Sequence, residues 1–180
     1  KALFKEARDP VGGVTAGGRP HSTIERSAQT MTTILSAEES YAITLRDNDD
    51  PIGSIALKPV SNYVTDALSG QPNTSEWNSI VTDTAREVGY WVGRPFWGKG
   101  IATEALRALM EHSFLNLYST CIWGVHYNNN ISSAAVLTRC GFRPVCQYAN
   151  AYYPLIDAYH DTTIRAITPR EWVLPNRVTQ

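Results

Sequence analysis

The chain has 180 residues, 43% of them apolar and 18% charged, with a formal net charge of −1. That size suits one domain with a buried core, and the near-neutral balance with scattered basic residues excludes an electrostatic nucleic-acid or membrane surface. Three cysteines, Cys121, Cys140 and Cys146, make neither an even set nor a Cys-x-x-Cys pair, so no disulfide framework or zinc site is expected.

No apolar run approaches the roughly 20 residues of a transmembrane helix. Residues 1–9 are charged and helix-like rather than a signal peptide, so a reduced, cytoplasmic setting is expected. The acceptor-like triplets Asn73-Thr74-Ser75 and Asn130-Ile131-Ser132 are read as chance matches in that setting.

In chain order, residues 1–8 read as the end of a helix, and Gly12, Gly13, Gly17, Gly18 and Pro20 mark a loop. Ser22-Thr23-Ile24-Glu25 is a capping box that predicts a helix to about residue 35. Ser36-Ala37-Glu38-Glu39 repeats the pattern, but the residues after Glu39 alternate like a strand. Residues 41–46 and 52–58 are alternating runs around the turn-type residues 47–51, which predicts a β-hairpin. Residues 62–85 are polar and pattern-poor, a long surface loop that is either functional or a mere insertion. A strand is expected at 87–92.

A helix is expected at 101–117, with Ile101, Ala102, Ala105, Leu106, Leu109, Met110 and Ser113 on one stripe. Residues 121–127 read as a strand. Asn130 reads as the N-cap of a helix that runs to Cys140, with Gly141 ending it and Phe142 packing back. Strands at 143–152 and 161–167 complete the order. Such mixing predicts a single α/β or α+β domain around a central sheet, spanning residues 1–180.

The chemistry concentrates where a strand meets a helix, at Gly93-Arg94-Pro95-Phe96-Trp97-Gly98-Lys99-Gly100-Ile101-Ala102. Two glycines two apart permit close backbone approach to a ligand. The amides of 98–102 lie at a helix start, where unpaired donors and the helix dipole favour an anion, and Lys99 adds a positive charge. The residues read as a phosphate or pyrophosphate cradle, or else as a plain glycine turn before a helix.

Gly93-x-x-x-x-Gly98-Lys99 has P-loop spacing, but Gly100 stands where the magnesium-binding hydroxyl belongs. Gly98-x-Gly100-x-x-Thr103 begins like a dinucleotide fingerprint and lacks its third small residue.

The stretch from Glu87 to Leu106 closely resembles the acyl-CoA pyrophosphate motif of the GNAT superfamily, most of all the branch that acetylates ribosomal-protein N-termini. Asn129-Asn130-Ile131-Ser132-Ser133, with a short helix after it that ends in Gly141-Phe142, resembles a second block of that branch. Ile52-Gly53-Ser54-Ile55 resembles its hairpin. The resemblance runs from about Ala2 to Trp172. It departs from the superfamily at Pro95, where Gln or Arg is frequent. Val136-Leu137-Thr138 stands where many members carry a catalytic Tyr. The usual first strand is missing too, so the chain is read as starting inside the first helix.

The resemblance implies a central mixed, mostly antiparallel sheet flanked by helices, and N-acyl transfer from acetyl-CoA to an amine. The implied cofactor contacts are Trp97, Gly98, Lys99, Gly100, Ile101 and Ala102 around the pyrophosphate, backbone amides near Trp91 and Val92 at the thioester carbonyl, and Asn130 and Ser133. Trp97 is equally read as a hydrophobic plug under the loop. Glu87 is implied as the general base, against a plain surface carboxylate, and Ser133 as proton donor to the departing thiolate. Tyr90 is an acid or packing; His126 is an alternative base or a core histidine.

No metal is expected, His21, His112 and His160 being scattered. No nucleophile has a partner base, which favours direct transfer in a ternary complex. The expected partners are acetyl-CoA and an amine, either a peptide N-terminus or a small molecule, with the protein a monomer or homodimer. Residues 62–85 and 148–159 are expected to shape the acceptor pocket. A non-catalytic acyl-CoA-binding or interaction module is the alternative reading.

Overall fold

The computed structural model describes residues 37–176 other than 70 and 73. The helix end expected at 1–8, the helix expected from the 22–25 capping box to about residue 35, the loop between them and His21 lie outside the described residues. Within them, the chain runs β1 (Ser40–Leu45), β2 (Asn48–Lys58), α1 (Asn62–Ser69), α2 (Ser75–Asn78), β3 (Arg86–Val92), α3 (Ile101–Leu115), β4 (Ile122–Tyr127), α4 (Ile131–Arg139), β5 (Arg143–Tyr153), β6 (Ala158–Ile167) and α5 (Pro169–Asn176).

The strands form one six-stranded sheet in the order β1-β2-β3-β4-β6-β5. Every neighbour is antiparallel except β3 with β4. A parallel pair needs a crossover, and α3 supplies it. The mixed sheet with flanking helices is the predicted architecture.

The first hairpin is tighter than expected. Leu45 pairs with Asn48, so Asn48–Pro51 already belong to β2 and the turn needs only Arg46 and Asp47. Asp and Asn favour turns, but they extend readily once ladder bonds are available. Farther along β2, Gly53 lies opposite Val92. A Cβ there would collide with the Trp91 carbonyl oxygen and stand 3.0 Å from Val92 Cα. Gly53→Ala is therefore expected to force β2 and β3 apart and lower stability by about 1–3 kcal/mol, as overpacking does. Thermal unfolding checks this; a midpoint unchanged from the parent would show that the two strands can part there freely.

Residues 62–85 are not one long loop: two short helices occupy 62–69 and 75–78, and 79–85 remain irregular. α1 buries Val64, Ala67 and Leu68, spaced i, i+3, i+4, and α2 buries Trp77. Two turns of helix among polar residues are too short for a period to stand out. What holds them is packing on the sheet: Val64 and Leu68 are at most 1% exposed, and Trp77 meets Trp123 edge-on at 5.5 Å.

The opposite face carries α3 and α4. There Leu106, Leu109, Met110, Phe114 and Leu137 pack on Ile43, Ile55, Val88, Val92 and Ile122. The helix α3 ends at Leu115, two residues short of the expected 117. α4 ends as predicted: Gly141 takes φ 88°, its amide donates to Thr138 O at 3.0 Å, and the Phe142 amide donates to Leu137 O at 3.0 Å. These are the paired bonds of a Schellman ending. Cys140 is buried beside them, in the core as expected.

β6 begins at Ala158, earlier than the expected 161, and α5 is an element that the strand-ended order does not include. Thr168-Pro169-Arg170-Glu171 is nonetheless a capping box: Glu171 Oε2 accepts from the Thr168 amide at 2.8 Å. Trp172 then packs on Phe114, ring centroids 5.5 Å apart.

Candidate active site

The parallel pairing of β3 with β4 covers only Arg86–Ile122, Glu87–Trp123 and Val88–Gly124. Beyond Val88 and Gly124 no ladder pair joins the two strands, although they run on to Val92 and Tyr127, which leaves a cleft between their C-terminal ends. The Arg86 amide donates to Cys121 O on the β4 side, and the Gly93 amide donates to Ile52 O on the β2 side. The β2–β3 register is unbroken between them. Alternation therefore turns the amides of Tyr90 and Val92 into the cleft and that of Trp91 toward β2. Of the two amides expected at a thioester, Val92's is the one the cleft receives.

At the open end, residues 93–100 join β3 to α3. Gly98 and Gly100 adopt φ 74° and 80°, the left-handed region that favours glycine. A Cβ at either would meet no protein atom within 4 Å, so their outer side is free for a ligand. The first intrahelical bond of α3 runs from the Glu104 amide to Gly100 O at 3.0 Å, which places the amides of Ile101, Ala102 and Thr103 at the positive end of the helix dipole.

The indole Nε1 of Trp97 donates to Val92 O at 2.6 Å. Trp97 is thus neither a buried plug nor loose: it ties the loop to the end of β3 while staying 40% exposed. Exposed Lys99 stands 5.5 Å from the Phe96 ring centroid.

Just after β4, Asn130 caps α4, its Oδ1 accepting from the Ser133 amide at 3.0 Å. Ser133 Oγ lies 3.0 Å from the Tyr90 hydroxyl, which also donates to Ser133 O at 3.3 Å. Burial pushes the Tyr90 hydroxyl up to about 12, so it stays protonated across physiological pH. Asn130, Ser133 and Tyr90 therefore stand together on the α3–α4 side of the sheet.

Glu87 sits at the closed end. Val88 and Val92 pack toward α3, so alternation turns Glu87 to the α1 face. It is 3% exposed, not a surface carboxylate. Lys58 Nζ donates to its Oε1 at 2.9 Å, and the Ser61 amide donates to its Oε2 at 2.9 Å.

Beside it stands an aromatic cluster that sequence reasoning located only in part. Tyr63 of α1 stacks on Tyr153 of β5 at 4.5 Å, and Tyr127 meets Tyr153 edge-on at 4.7 Å. The expected acceptor segments 62–85 and 148–159 do meet here. Burial first, then the Glu87 charge among its further causes, raises the Tyr63 hydroxyl pKa; burial likewise raises that of Tyr153, with Glu87 contributing. Tyr63 and Tyr127 carried no local signal, because they come from an element that looked like a loop and from the end of a strand.

His126 is a core histidine. Its Nδ1 donates to Tyr127 O at 2.8 Å, its Nε2 accepts from Arg165 Nε at 3.1 Å, and burial lowers its pKa. Both nitrogens of the neutral ring are engaged, which removes it as a base. His112 pairs with Glu39 at 2.8 Å and His160 stacks on Tyr127 at 4.1 Å. Among the described residues, no three His, Cys, Asp or Glu side chains gather to hold a metal ion.

The chain is similar to the FsC-acetyl coenzyme A-N(2)-transacetylase of Aspergillus fumigatus, 31% identical over 107 residues, covering 59% of this chain and 45% of that protein. It is also similar to a Bacillus subtilis protein named as a ribosomal N-acetyltransferase, YdaF, 33% identical over 86 residues, covering 48% of this chain and 46% of the relative. The chain thus spans less than half the length of each. Among solved structures, a GNAT-family acetyltransferase from Bacillus anthracis superposes with a TM-score of 0.75 at 16% identity, covering 94% of this chain and 89% of that one, a likeness of fold. The family model described as an acetyltransferase (GNAT) domain matches residues 2–143. With the parallel strands unpaired beyond Val88 and Gly124, the glycine loop between strand and helix, and these matches together, the chain belongs to the GNAT acetyltransferase family.

Proposed function

We propose that this protein is a cytoplasmic, single-domain N-acetyltransferase that moves an acetyl group from acetyl-CoA to a primary amine by direct transfer in a ternary complex. The observation that carries the reading is the cleft between β3 and β4, which is closed at Val88–Gly124 and ends in a loop whose two left-handed glycines have open space outside them. Acetyl-CoA supplies an activated acyl group as a thioester.

The residues fit such a ligand. Gly98 to Ala102, with Lys99, receive the pyrophosphate on backbone donors and one positive charge, and Trp97 holds the loop in place. Asn130 and Ser133 flank the arm of the cofactor. The Val92 amide, with no strand partner across the cleft, donates to the carbonyl oxygen as negative charge develops there. Glu87, five residues before Val92 on the same strand, takes a proton from the acceptor ammonium through intervening water. Ser133 gives its hydroxyl proton to the departing sulfur, with the protonated Tyr90 hydroxyl positioned to support it. The free Cys121, Cys140 and Cys146 suit a reducing compartment. The names of the relatives put both a small-molecule amine and a ribosomal peptide N-terminus among the acceptors to test, on a monomer or homodimer.

Thermal unfolding with acetyl-CoA, and in parallel with Mg·ATP, tests the cofactor assignment. A ligand bound only to the folded state adds about 2.7 kcal/mol at a hundredfold excess over Kd. The expected result is a clear upward shift with acetyl-CoA and none with Mg·ATP. A shift with the nucleotide alone would return the loop to the P-loop reading. An acetyl-CoA shift in a protein that acetylates no amine would favour the non-catalytic binding module.

A further inference from the structure

The hydroxyl of Tyr90 reaches from β3 to the first turn of α4. Its Oη lies 3.0 Å from Ser133 Oγ and 3.3 Å from Ser133 O. Ser133 is itself fixed, its amide donating to Asn130 Oδ1 at 3.0 Å. Among the described residues, Ser133 Oγ has no hydrogen-bond partner other than Tyr90.

Two hydroxyl hydrogens are thus shared among three oxygens, and two arrangements fit the distances. In one, Tyr90 donates to Ser133 O and Ser133 donates to Tyr90, which uses both hydrogens. In the other, Tyr90 donates to Ser133 Oγ, and the serine hydrogen stays unclaimed. The shorter distance favours the second. The carbonyl, moreover, already serves α4 as the acceptor for the amide four residues on. Burial raises the Tyr90 phenol to about 12, with the Ser133 bond and Arg165 opposing the rise and Cys140 adding to it. Tyr90 therefore keeps its hydrogen, and can donate it, throughout the physiological range.

We propose that Tyr90 is the positioning residue of Ser133: by donating to Oγ, it leaves the serine hydrogen free for the departing sulfur of the cofactor. The inference rests on the acetyl-transfer reading, in which Ser133 faces that sulfur, and adds the hydroxyl that prepares it. Two effects act together. The serine hydrogen is not spent on Tyr90, and an oxygen that accepts a hydrogen bond is the stronger donor. A helical serine without such a partner turns its hydrogen back to a carbonyl three or four residues earlier, here that of Asn130 or Asn129. As the C–S bond breaks and its electron pair passes to sulfur, the Ser133 O–H meets the new charge. Tyr90 stays protonated behind it.

The test uses CoA, whose free thiol stands for the departing sulfur. Thiolate absorbance of bound CoA, with the spectrum of the protein alone subtracted, gives the pKa of that thiol. It is measured in the whole chain and in its Tyr90→Phe, Ser133→Ala and doubly substituted variants. The protein's own thiols intrude little, because burial raises the pKa of Cys121, Cys140 and Cys146. Ser133→Ala is expected to raise the CoA thiol pKa by about one pH unit and Tyr90→Phe by about half of one. In the Ser133→Ala background, Tyr90→Phe should add nothing, since it acts only through Ser133. With whichever of spermidine, butylamine and an alanine-initiated hexapeptide the parent acetylates, Tyr90→Phe should lower kcat about fivefold and leave KM unaltered. An unchanged thiol pKa in Tyr90→Phe overturns the positioning role and leaves the acetyltransferase reading standing. The same shift from Tyr90→Phe with and without Ser133 also overturns it, by showing that Tyr90 acts through packing or on its own. An unchanged pKa in Ser133→Ala does so too, by removing Ser133 from the sulfur. Failure of the parent to bind CoA overturns the acetyltransferase reading, and the positioning role with it.

Discussion

Gly98→Glu is expected to abolish the stabilisation by acetyl-CoA. Two effects act at one position. The backbone holds φ 74° there, which strains any L side chain by roughly 1–2 kcal/mol. The larger effect is on the ligand: the side chain grows into space where no protein atom stands within 4 Å, the space assigned to the pyrophosphate, and brings a negative charge to an anion site. Because the protein itself has room for a Cβ, the defect lies in binding rather than in packing. Thermal unfolding with and without acetyl-CoA separates the two effects. The free variant should unfold only slightly below the parent, and the ligand-induced shift of about 2.7 kcal/mol at hundredfold excess should vanish. Gly98→Ala, which lacks the charge, should retain part of the shift. A full shift in the glutamate variant would remove Gly98 from the cofactor contacts and move the site elsewhere on α3.

Glu87→Gln is expected to lower kcat by about 10²-fold or more, the usual worth of a general base, with the acetyl-CoA thermal shift unchanged. The substitution keeps the shape and an oxygen for the Ser61 amide, but it abolishes the basic carboxylate and the pair with Lys58. Lys58 is half exposed and can turn to water, so the loss of stability should be modest. A purely structural Glu87 predicts the reverse pattern: a lowered midpoint with turnover within twofold of the parent. That result would leave the acceptor ammonium without its base and reopen the search on the α1 face.

The loop proposed to hold the cofactor was legible because it is local. A strand, a loop with two glycines and a helix start are contiguous from Gly93 to Ala102, and left-handed φ values and unpaired first-turn amides arise from residue type and position alone. The Asn130 cap and the Gly141-Phe142 ending were readable for the same reason, each being decided within a few residues. The Thr168-x-x-Glu171 capping box carries an equal signal, and α5 is legible from it.

The acceptor end was not legible in that way. α1 and α2 are helical because Val64, Leu68 and Trp77 find apolar surface on β4 and β6, and eight polar-rich residues declare no such partner in advance. The tyrosine cluster joins residues 63, 127 and 153, whose proximity depends on α1, β4 and β5 meeting on one face of the sheet.

The sequence by itself determined the family, through its motifs, and the order of most strands and helices, the left-handed glycines Gly98 and Gly100 and the caps, since these last arise from short-range backbone sterics and hydrogen bonding. Only the tertiary structure decided that Trp97 is a strut and His126 a neutral core residue. It alone decided that the Val92 amide, rather than that of Trp91, turns into the cleft, and that Glu87 is buried on Lys58 and Ser61. Each of these depends on strand register, on which face a side chain takes, or on a partner distant in the chain, and desolvation acts only once the sheet has closed over them.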